Sequence, residues 1–233
     1  MIATKYERRR RNRPQGILAI DVGGTHVKMM LSQGSEERTF ESGPKLTARE
    51  MVSKLKVLTR DWDYDVVSIG YPGPVVCNRP IAEPHNLGGG WVGFDFEKAL
   101  GCPVKIVNDA VMQALGSYSG GRMLFLGLGT GLGSAMIIDG AIEPMELAHL
   151  PYKKNKTFED CLGQDGLKRV GKEKWRARVA AAVKQLKAAL LPDYIVLGGG
   201  NAKELKTLPP RTRLGDNANA FSGGFQLWRE PCA

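Results

Sequence analysis

Short apolar runs that end at turn residues recur along the chain and predict buried β-strands. The first run, residues 17–22 (ILAIDV), stops at Gly-Gly, and residues 26–31 form the returning strand of a hairpin. Runs of about four to eight apolar residues bounded by turn residues are typical of strands inside a sheet. By the same criteria we expect further strands at 36–41, 66–70, 103–107, 123–128, 132–138 and 194–197.

Segments between these strands carry the spacing of amphipathic helices. Residues 47–60 place Met51 and Leu55 on one face, and Thr47 with Glu50 forms a capping box. We expect further helices at 109–118 and 174–191. The second of these has the apolar stripe Trp175, Val179, Val183, Leu186 and Leu190, and Pro192 ends it.

Strands alternating with helices predict an α/β fold. The succession of strand, glycine turn and strand occurs twice, at 17–31 and at 123–138. No short internal repeat accompanies it. This duplication is what a fold of two related lobes would show.

Positive charge is concentrated in two regions. The chain of 233 residues has a net charge of +9, and residues 1–13 and 153–187 contribute net charges of +5 and +7. Such surfaces favour polyanionic partners, although a merely solvated basic face explains the charge equally well. We expect residues 1–15 to be a basic, disordered tail rather than a signal peptide, because no apolar segment follows it.

The apolar runs and the cysteines indicate the compartment of the cell in which the protein is expected. No apolar run reaches the length of a membrane span. The four cysteines lack CxxC spacing, which indicates free thiols in a reducing cytoplasm. We therefore expect a cytoplasmic protein without a membrane partner.

The first glycine motif, residues 21–28, has the chemistry of a phosphate cradle. Gly23 and Gly24 allow close approach of an anion to backbone N–H groups, and the Thr25 hydroxyl adds a donor. Asp21 ends a strand, where its carboxylate can hold hydrated Mg²⁺, and Lys28 adds positive charge. A plain hairpin with a Gly-Gly turn is the alternative.

The second glycine motif, residues 127–133, lies between two apolar strands. It lacks the third glycine and the following helix of a dinucleotide fingerprint, and it has no Gly-Lys-Ser/Thr sequence of a Walker loop. The remaining interpretation is a glycine-rich hairpin that faces phosphate through Gly129, Thr130 and Gly131. With the first motif it would form a two-sided phosphate clamp.

Asn108 and Asp109 stand at the end of a predicted strand. A carboxylate there can accept a hydroxyl proton as the oxygen attacks phosphorus. The alternative is that Asp109 caps the helix that follows, and spacing does not separate the two. Glu146 and His149, taken alone, are more often structural than functional.

Together these motifs resemble the ROK family of bacterial sugar kinases, over most of residues 17–228. The pieces follow the family's order: 21–28, 71–74, Asn86 within 85–91, Asn108 with Asp109, 128–133, Glu146 with His149, Glu159, and Gly199 with Gly200 within 198–201. The resemblance implies the actin-like ATPase (ribonuclease H-like) fold. Its two α/β lobes, 16–112 and 113–233, would flank a cleft.

The resemblance also implies an activity, the phosphorylation of glucose at its 6-hydroxyl with Asp109 as general base. Asn86, Asn108, Asp109, Glu146, His149 and Glu159 would contact the sugar. Asp21, Gly23, Gly24, Thr25, Lys28, Gly129, Thr130, Gly131, Gly199 and Gly200 would bind the phosphoryl donor, with Mg²⁺ at Asp21. A homodimer is the family expectation.

Within the family, the chain most resembles polyphosphate glucokinases, which use inorganic polyphosphate, often alongside ATP. The segments that carry this resemblance are 149–154, 159–160, 172–176, 214–221 and 223–228. The family's cysteine-rich zinc motif is missing, since only Cys161 follows His149. We therefore expect no structural zinc and a sugar contact at His149.

Several alternatives stay open at this point. The enzyme could be a strictly ATP-dependent glucokinase or a kinase of another hexose such as mannose. A protein of another class, a non-catalytic sugar-binding regulator, would use the same fold, but no helix-turn-helix precedes the first motif. Specific nucleic-acid binding is not expected, because the basic segments lack interleaved aromatics or a reading motif.

Overall fold

The chain divides into two α/β units, each built on its own five-stranded sheet. The computed structural model describes residues 14–153, 155–216 and 218–229. The first unit contains the described residues up to Asp109 together with 224–229, and the second contains Ala110–Gly223. Most of the predicted basic tail, Lys154 and Cys232 lie outside the described residues.

The first unit begins with a hairpin and ends with a parallel strand. Its elements are β1 (Ile17–Val22), β2 (His26–Leu31), β3 (Glu37–Glu41), α1 (Ala48–Leu58), β4 (Val66–Tyr71), β5 (Val75–Val76), β6 (Arg79–Pro80), α2 (Phe96–Leu100) and β7 (Val104–Asn108).

The second unit repeats this plan with additions. Its elements are α3 (Asp109–Ser117), β8 (Arg122–Leu128), β9 (Leu132–Ile138), β10 (Ala141–Met145), β11 (Pro151–Lys153), β12 (Lys156–Thr157), α4 (Phe158–Leu162), α5 (Gln164–Leu190), β13 (Tyr194–Gly198), β14 (Thr212–Leu214) and α6 (Asn219–Gln226). The first residue of α3, Asp109, and the end of α6 from Gly224 onward belong to the first unit. Short 3₁₀ turns occupy Leu147–His149 and Ala202–Glu204.

The two sheets have the same topology. Their strand orders are β3-β2-β1-β4-β7 and β10-β9-β8-β13-β14. In each, three antiparallel strands are followed by two strands parallel to the first of them. The duplication expected from the two glycine hairpins is therefore present in the strand pairing.

In both units the apolar residues that the sequence places on one face of a helix are buried in the core. In the first unit, Met51 and Leu55 of α1 are fully buried, and the Thr47–Glu50 capping box forms as predicted. In the second, the buried stripe of α5 includes Trp175, Val179, Val183 and Leu186. None of the described helices is long and apolar enough to cross a membrane.

One helix departs from its sequence prediction. The apolar period predicts a helix over 174–191, but α5 already starts at Gln164. Gly171 interrupts it with φ 76° and ψ 164°, so the helix has two parts, one on each side of this residue. A single spacing of apolar residues does not describe both parts, which is why the sequence predicted only the second.

Residues 224–229 pack within the first unit. The Ser68 hydroxyl, fully buried on β4, donates to the Gly224 carbonyl (2.6 Å) and accepts from the Trp228 indole N–H (2.9 Å). The Lys105 ammonium lies 4.6 Å from the centre of the Trp228 ring. The end of the described chain thereby closes the core of the first sheet.

Candidate functional site

The turn between β1 and β2 leaves successive backbone donors unoccupied. Ser42 donates its N–H to the Thr25 carbonyl (2.9 Å) and its hydroxyl to the Gly23 carbonyl (2.7 Å). Gly23 itself donates to His26 O (2.9 Å). Within the described part of the chain, no hydrogen bond engages the N–H groups of Gly24 and Thr25. Such a turn can bind a phosphate oxygen.

Asp21 and Lys28 face each other across the hairpin, as register partners of β1 and β2. Burial raises the pKa of Asp21 to about 6, while Lys28 opposes this shift and Glu37 reinforces it. The Lys28 ammonium lies 3.2 Å from the Glu37 carboxylate. Lys28 is thus shared between two acidic groups, and its positive charge is partly offset before any donor binds.

Asp21 also fits a magnesium role. Mg²⁺ usually takes one or two carboxylates, with water and substrate phosphates completing its coordination. Among the described residues no group of three or more His, Cys, Asp or Glu is placed to hold a metal. A single carboxylate beside a turn with available N–H groups suits an ion shared with a phosphorylated ligand, and it does not suit an ion held by protein alone.

The predicted sugar loop, residues 85–91, is closed by the carboxylate of Glu83, which precedes it. Glu83 accepts hydrogen bonds from the N–H groups of Trp91 (3.1 Å) and Val92 (3.2 Å). The buried Trp91 ring donates to the Gly88 carbonyl (2.8 Å). A Cβ built on Gly24 would lie 3.3 Å from the Cβ of Asn86, so the loop reaches the first glycine turn. The fold therefore brings the predicted sugar and phosphate residues of this unit together.

Asn108 and Asp109 lie at the same sheet edge as Asp21. Strand registers pair Asp21 with Gly70 and Tyr71 with Asn108, so β1, β4 and β7 end side by side. The Asn108 amide donates to the Gly73 carbonyl (3.0 Å). Asp109 is half-buried and is the first residue of α3. An acidic group in a helix's first turn is stabilised by the helix dipole.

The second glycine turn is held in the same manner as the first. The Asn201 amide donates to Gly129 O (2.9 Å), and the Gln164 N–H lies 3.0 Å from Gly129 O and 3.2 Å from Thr130 O. The N–H groups of Thr130 and Gly131 have no hydrogen-bond partner among the described residues. Both turns thus use their carbonyls for bracing and leave consecutive N–H groups available to an anion.

Gly199, predicted on the nucleotide side, packs against this turn. Its φ is +81°, and a Cβ would lie 2.5 Å from the Leu128 carbonyl oxygen. Asn201 donates its backbone N–H to the same oxygen (2.8 Å). Gly200 has open space around it. Close backbone approach therefore requires glycine at 199, where any side chain would be both strained and blocked.

Glu159 reaches the second glycine turn through its carboxylate. Its Oε2 accepts a hydrogen bond from the Leu132 N–H (3.1 Å). A Cβ on Gly131 would lie 2.3 Å from that same oxygen. The structure places this predicted sugar residue on the second glycine turn, and its contact with sugar stays a prediction.

Glu146 and His149 form an exposed polar pair. The His149 Nε2 lies 3.9 Å from Glu146 Oε2, and their side chains are 74% and 57% exposed. The buried Ser134 hydroxyl holds the segment, since it donates to Met145 O (2.8 Å) and accepts from the Leu147 N–H (3.2 Å). Two hydrogen-bonding side chains on a fixed segment can receive sugar hydroxyls.

Sequence reasoning missed the residues that brace these loops, which are Ser42, Glu83 and Ser134. Each bonds backbone groups 8 to 19 positions away, and no motif marks such a contact. Asn201 lies inside a glycine motif that sequence analysis singled out, yet its amide contact to Gly129 has no sequence signal.

Comparison with known proteins decides the family. The profile of the ROK family matches residues 17–144, more than half of the chain. The chain belongs to the ROK family.

Relatives of this ROK protein include kinases and a regulator. Polyphosphate glucokinase of Mycobacterium tuberculosis is 28% identical over 206 residues, which cover 79% of this chain and 77% of that protein. The crystal structure of an inorganic polyphosphate/ATP-glucomannokinase from Arthrobacter sp. strain KM has a TM-score of 0.79 at 20% identity, covering 91% and 98% of the two chains. A ROK family transcriptional regulator, a homologue of E. coli MLC, has a TM-score of 0.69 at 16% identity, covering 97% and 83%. The ROK protein thus has the actin-like ATPase fold, as its sequence motifs indicated.

Proposed function

We propose that this ROK protein is a kinase that phosphorylates glucose on its 6-hydroxyl, with inorganic polyphosphate, ATP or both as donor. The observation that carries the proposal is the pair of glycine turns, in which consecutive N–H groups stay available while neighbours occupy the carbonyls. Two phosphate-binding turns suit a donor with several phosphate groups. The similarity to polyphosphate glucokinase supports the same activity.

In the proposed reaction the glucose 6-oxygen attacks the terminal phosphorus of the donor. A bond forms between this oxygen and phosphorus, the bond to the bridging oxygen breaks, and the hydroxyl proton passes to the Asp109 carboxylate. Asn86, Asn108, Glu146 and His149 would orient the sugar by hydrogen bonds. Such a reaction depends mainly on positioning and electrostatic stabilisation.

The donor's phosphates would bind at the two turns. Gly24, Thr25, Thr130 and Gly131 would donate backbone N–H groups to phosphate oxygens. Magnesium, when bound at Asp21, would offset the negative charge of the donor. Lys28 would add positive charge at the first turn, reduced by its contact with Glu37.

Polyphosphate as donor requires a basic surface beyond the turns. Several cations of α5 are already engaged, since Lys172 lies 2.6 Å from the Glu204 carboxylate and Arg176 donates to the Glu204 carbonyl. The exposed Lys174 has no such bond within the described residues. The Tyr152 hydroxyl donates to Arg178 O (3.0 Å), which brings strand β11 and its partner β12 to this part of α5.

We take Lys153, Lys156 and Lys174, three exposed lysines of this surface, as candidates to follow a polyphosphate chain. Charge contacts of this kind weaken as salt rises. The variant Lys153→Gln, Lys156→Gln, Lys174→Gln should raise the polyphosphate KM and leave the ATP KM nearly unchanged. A charge-matched control is Lys54→Gln, Lys56→Gln, Lys98→Gln, three exposed lysines of the first unit.

The activity itself is tested by measuring product from glucose, with ATP or long-chain polyphosphate at equal phosphate concentration and Mg²⁺ present. Turnover with either donor supports the kinase, and the ratio identifies the preferred donor. The same assay with mannose in place of glucose tests the alternative that the enzyme phosphorylates another hexose. A sugar site that hydrogen-bonds each hydroxyl should reject a hexose with one misplaced hydroxyl. No turnover with any pair contradicts the proposal.

A non-catalytic sugar-binding regulator is the second candidate. The structural likeness to a ROK family transcriptional regulator favours it. Glucose binding measured by calorimetry, together with no turnover of any donor, would support this candidate over the kinase.

A further inference from the structure

The side chain of His26, the residue that follows the first glycine turn, contacts the turn itself. Its Nδ1 lies 3.2 Å from the Thr25 hydroxyl oxygen. Gly23 donates its backbone N–H to His26 O at 2.9 Å. Ser42 donates its N–H to Thr25 O at 2.9 Å, so the backbone is fixed on both sides of the contact. His26 and Thr25 are both exposed, so a ligand can reach the hydroxyl and water can exchange protons with the imidazole.

This contact decides where the single proton of the Thr25 hydroxyl points. When Nδ1 of His26 carries no proton, it can only accept, and the hydroxyl then donates its proton to the ring. When the ring is an imidazolium, both of its nitrogens carry protons, so Nδ1 donates to Thr25 Oγ1 and the hydroxyl proton is left for another acceptor. A phosphate oxygen is such an acceptor. Protonation of His26 therefore prepares the turn for an anion and adds a positive charge beside it.

Charged groups on three neighbouring strands share a face of the first sheet with His26. Side chains alternate along β2, so His26 and Lys28 lie on the same face. The registers place Glu41 of β3 opposite His26 and Asp21 of β1 opposite Lys28. Glu37 reaches the same face through its contact with Lys28. Within the part of the chain that the structure describes, His26 forms no ion pair, so the charge of its imidazolium stays available to a ligand.

We propose that His26 is a positioning residue for the phosphoryl donor. Its imidazolium holds the Thr25 hydroxyl so that the hydroxyl proton points to a phosphate oxygen, and donor binding therefore strengthens as the pH falls. The inference rests on the proposed donor role of the first glycine turn, and it concerns a residue of that motif to which the phosphate chemistry gave no part. ATP and polyphosphate present the same kind of phosphate oxygen, so both donors should respond alike.

Four variants test this role: His26→Gln, His26→Lys, Thr25→Val and the double variant Thr25→Val, His26→Gln. Dissociation constants are measured by calorimetry for tripolyphosphate and for ATP, each with Mg²⁺ and without sugar. The measurements are made at about pH 6 and about pH 8, which lie on either side of the pH at which an imidazole ordinarily gains its proton. Lys98→Gln is the control for the loss of one positive charge, since Lys98 is exposed and lies on α2 of the same unit.

The pH dependence has other sources, which the comparison between variants removes. The phosphates themselves gain protons, and so does Asp21, whose pKa burial raises to about 6. These sources are present in the wild type and in every variant, so each constant is divided by the wild-type constant at the same pH. The further charged or titratable groups on β2, β3 and the 85–91 loop beside this turn are Lys28, Glu37, Glu41 and His85.

At the lower pH we expect His26→Gln to weaken donor binding about fivefold, the size of one hydrogen bond at an exposed site, and at the higher pH less than about twofold. His26→Lys should match the wild type at the lower pH and bind donors about fivefold more tightly at the higher pH, because an ammonium keeps its charge and can only donate. Thr25→Val should weaken donor binding, and His26→Gln should then add less than about twofold. Lys98→Gln should give the same ratio at both pH values.

A loss in His26→Gln that is equal at both pH values, or no loss at either, would overturn the inference and leave the kinase proposal intact. A loss that persists in the Thr25→Val background would also overturn it, because the imidazolium would then attract the donor by its charge alone. If Thr25→Val does not fold, His26→Lys decides: donor binding that is no tighter than in the wild type at the higher pH contradicts the positioning role. If the wild type binds donors as expected and phosphorylates no sugar, the kinase proposal fails and the role of His26 stands. A wild type that binds no donor overturns both.

Discussion

Removing the Glu83 carboxylate should loosen the predicted sugar loop with little effect on the donor side. Glu83 bonds the N–H groups of Trp91 and Val92 and thereby joins the two ends of the loop that carries Asn86. In Glu83→Ala both N–H groups lose their partner. Glu83→Gln keeps one accepting oxygen, so it should lose about half as much.

The size of the effect follows from the bonds. At 3.1 and 3.2 Å both lie at the long end of the N–H···O range, and Glu83 is exposed, so each contributes about 0.5 to 1 kcal/mol, in the lower part of the range for an ordinary hydrogen bond. Together they stabilise the loop by about 1 to 2 kcal/mol. If this energy is expressed in sugar binding, the glucose KM should rise roughly five- to thirtyfold.

Glu97→Ala is the matched control for Glu83→Ala. Glu97 is an exposed glutamate that accepts a backbone hydrogen bond from the Val104 N–H (3.2 Å) elsewhere in the first unit. Steady-state kinetics with glucose varied at saturating donor, and then the reverse, give both KM values. The loop-closing role of Glu83 would be refuted if the glucose KM changed equally in Glu83→Ala and Glu97→Ala. It would also be refuted if the glucose KM did not change in Glu83→Ala.

Three further predictions concern stability. Ser68→Ala should lower the free energy of unfolding in urea by about 2 kcal/mol, because the Trp228 N–H and the Gly224 carbonyl lose a buried partner; a change under about 0.5 kcal/mol would contradict the packing of residues 224–229. Asp21→Asn should raise stability at pH 8 by roughly 1 to 2 kcal/mol while it lowers turnover, since the folded pKa of about 6 exceeds the ordinary 3.8 and the charged form is penalised. This gain should shrink below pH 4, where the carboxyl is protonated in both states, and an equal gain at both pH values would argue against it. Gly199→Ala should lower the melting temperature and weaken nucleotide binding, because φ is +81° and the Leu128 carbonyl blocks a Cβ; unchanged melting would exclude the close approach.

Local chemistry made much of the fold predictable. The β1–β2 and β8–β9 hairpins follow from apolar runs interrupted by glycine, and the start of α1 follows from its capping box. The short strands β5, β6, β11, β12 and β14, of two or three residues, show no period that could reveal them. The free thiols of Cys77, Cys102 and Cys161 were also expected from their spacing.

Candidate site residues can be proposed from the sequence where a motif carries the chemistry itself, and their roles stay predictions. Glycines that approach an anion and a carboxylate at a strand end have local signatures. The residues that hold them do not, because Ser42, Asn201 and Glu159 act on backbone groups 17 to 72 positions away. Only the folded chain shows that Glu159 lies on the second glycine turn.

The central claim is that Asp109, as general base, accepts the proton of the glucose 6-hydroxyl while this oxygen is phosphorylated. The most direct measurement compares glucose 6-phosphate formation by the wild type and by Asp109→Asn, with Mg²⁺ and each donor, after both proteins show the same melting temperature. We predict turnover by the wild type and a loss of at least about a hundredfold in kcat for the variant, with glucose still bound. Near-normal turnover by Asp109→Asn would contradict the assignment of the base, and an inactive wild type would contradict the kinase.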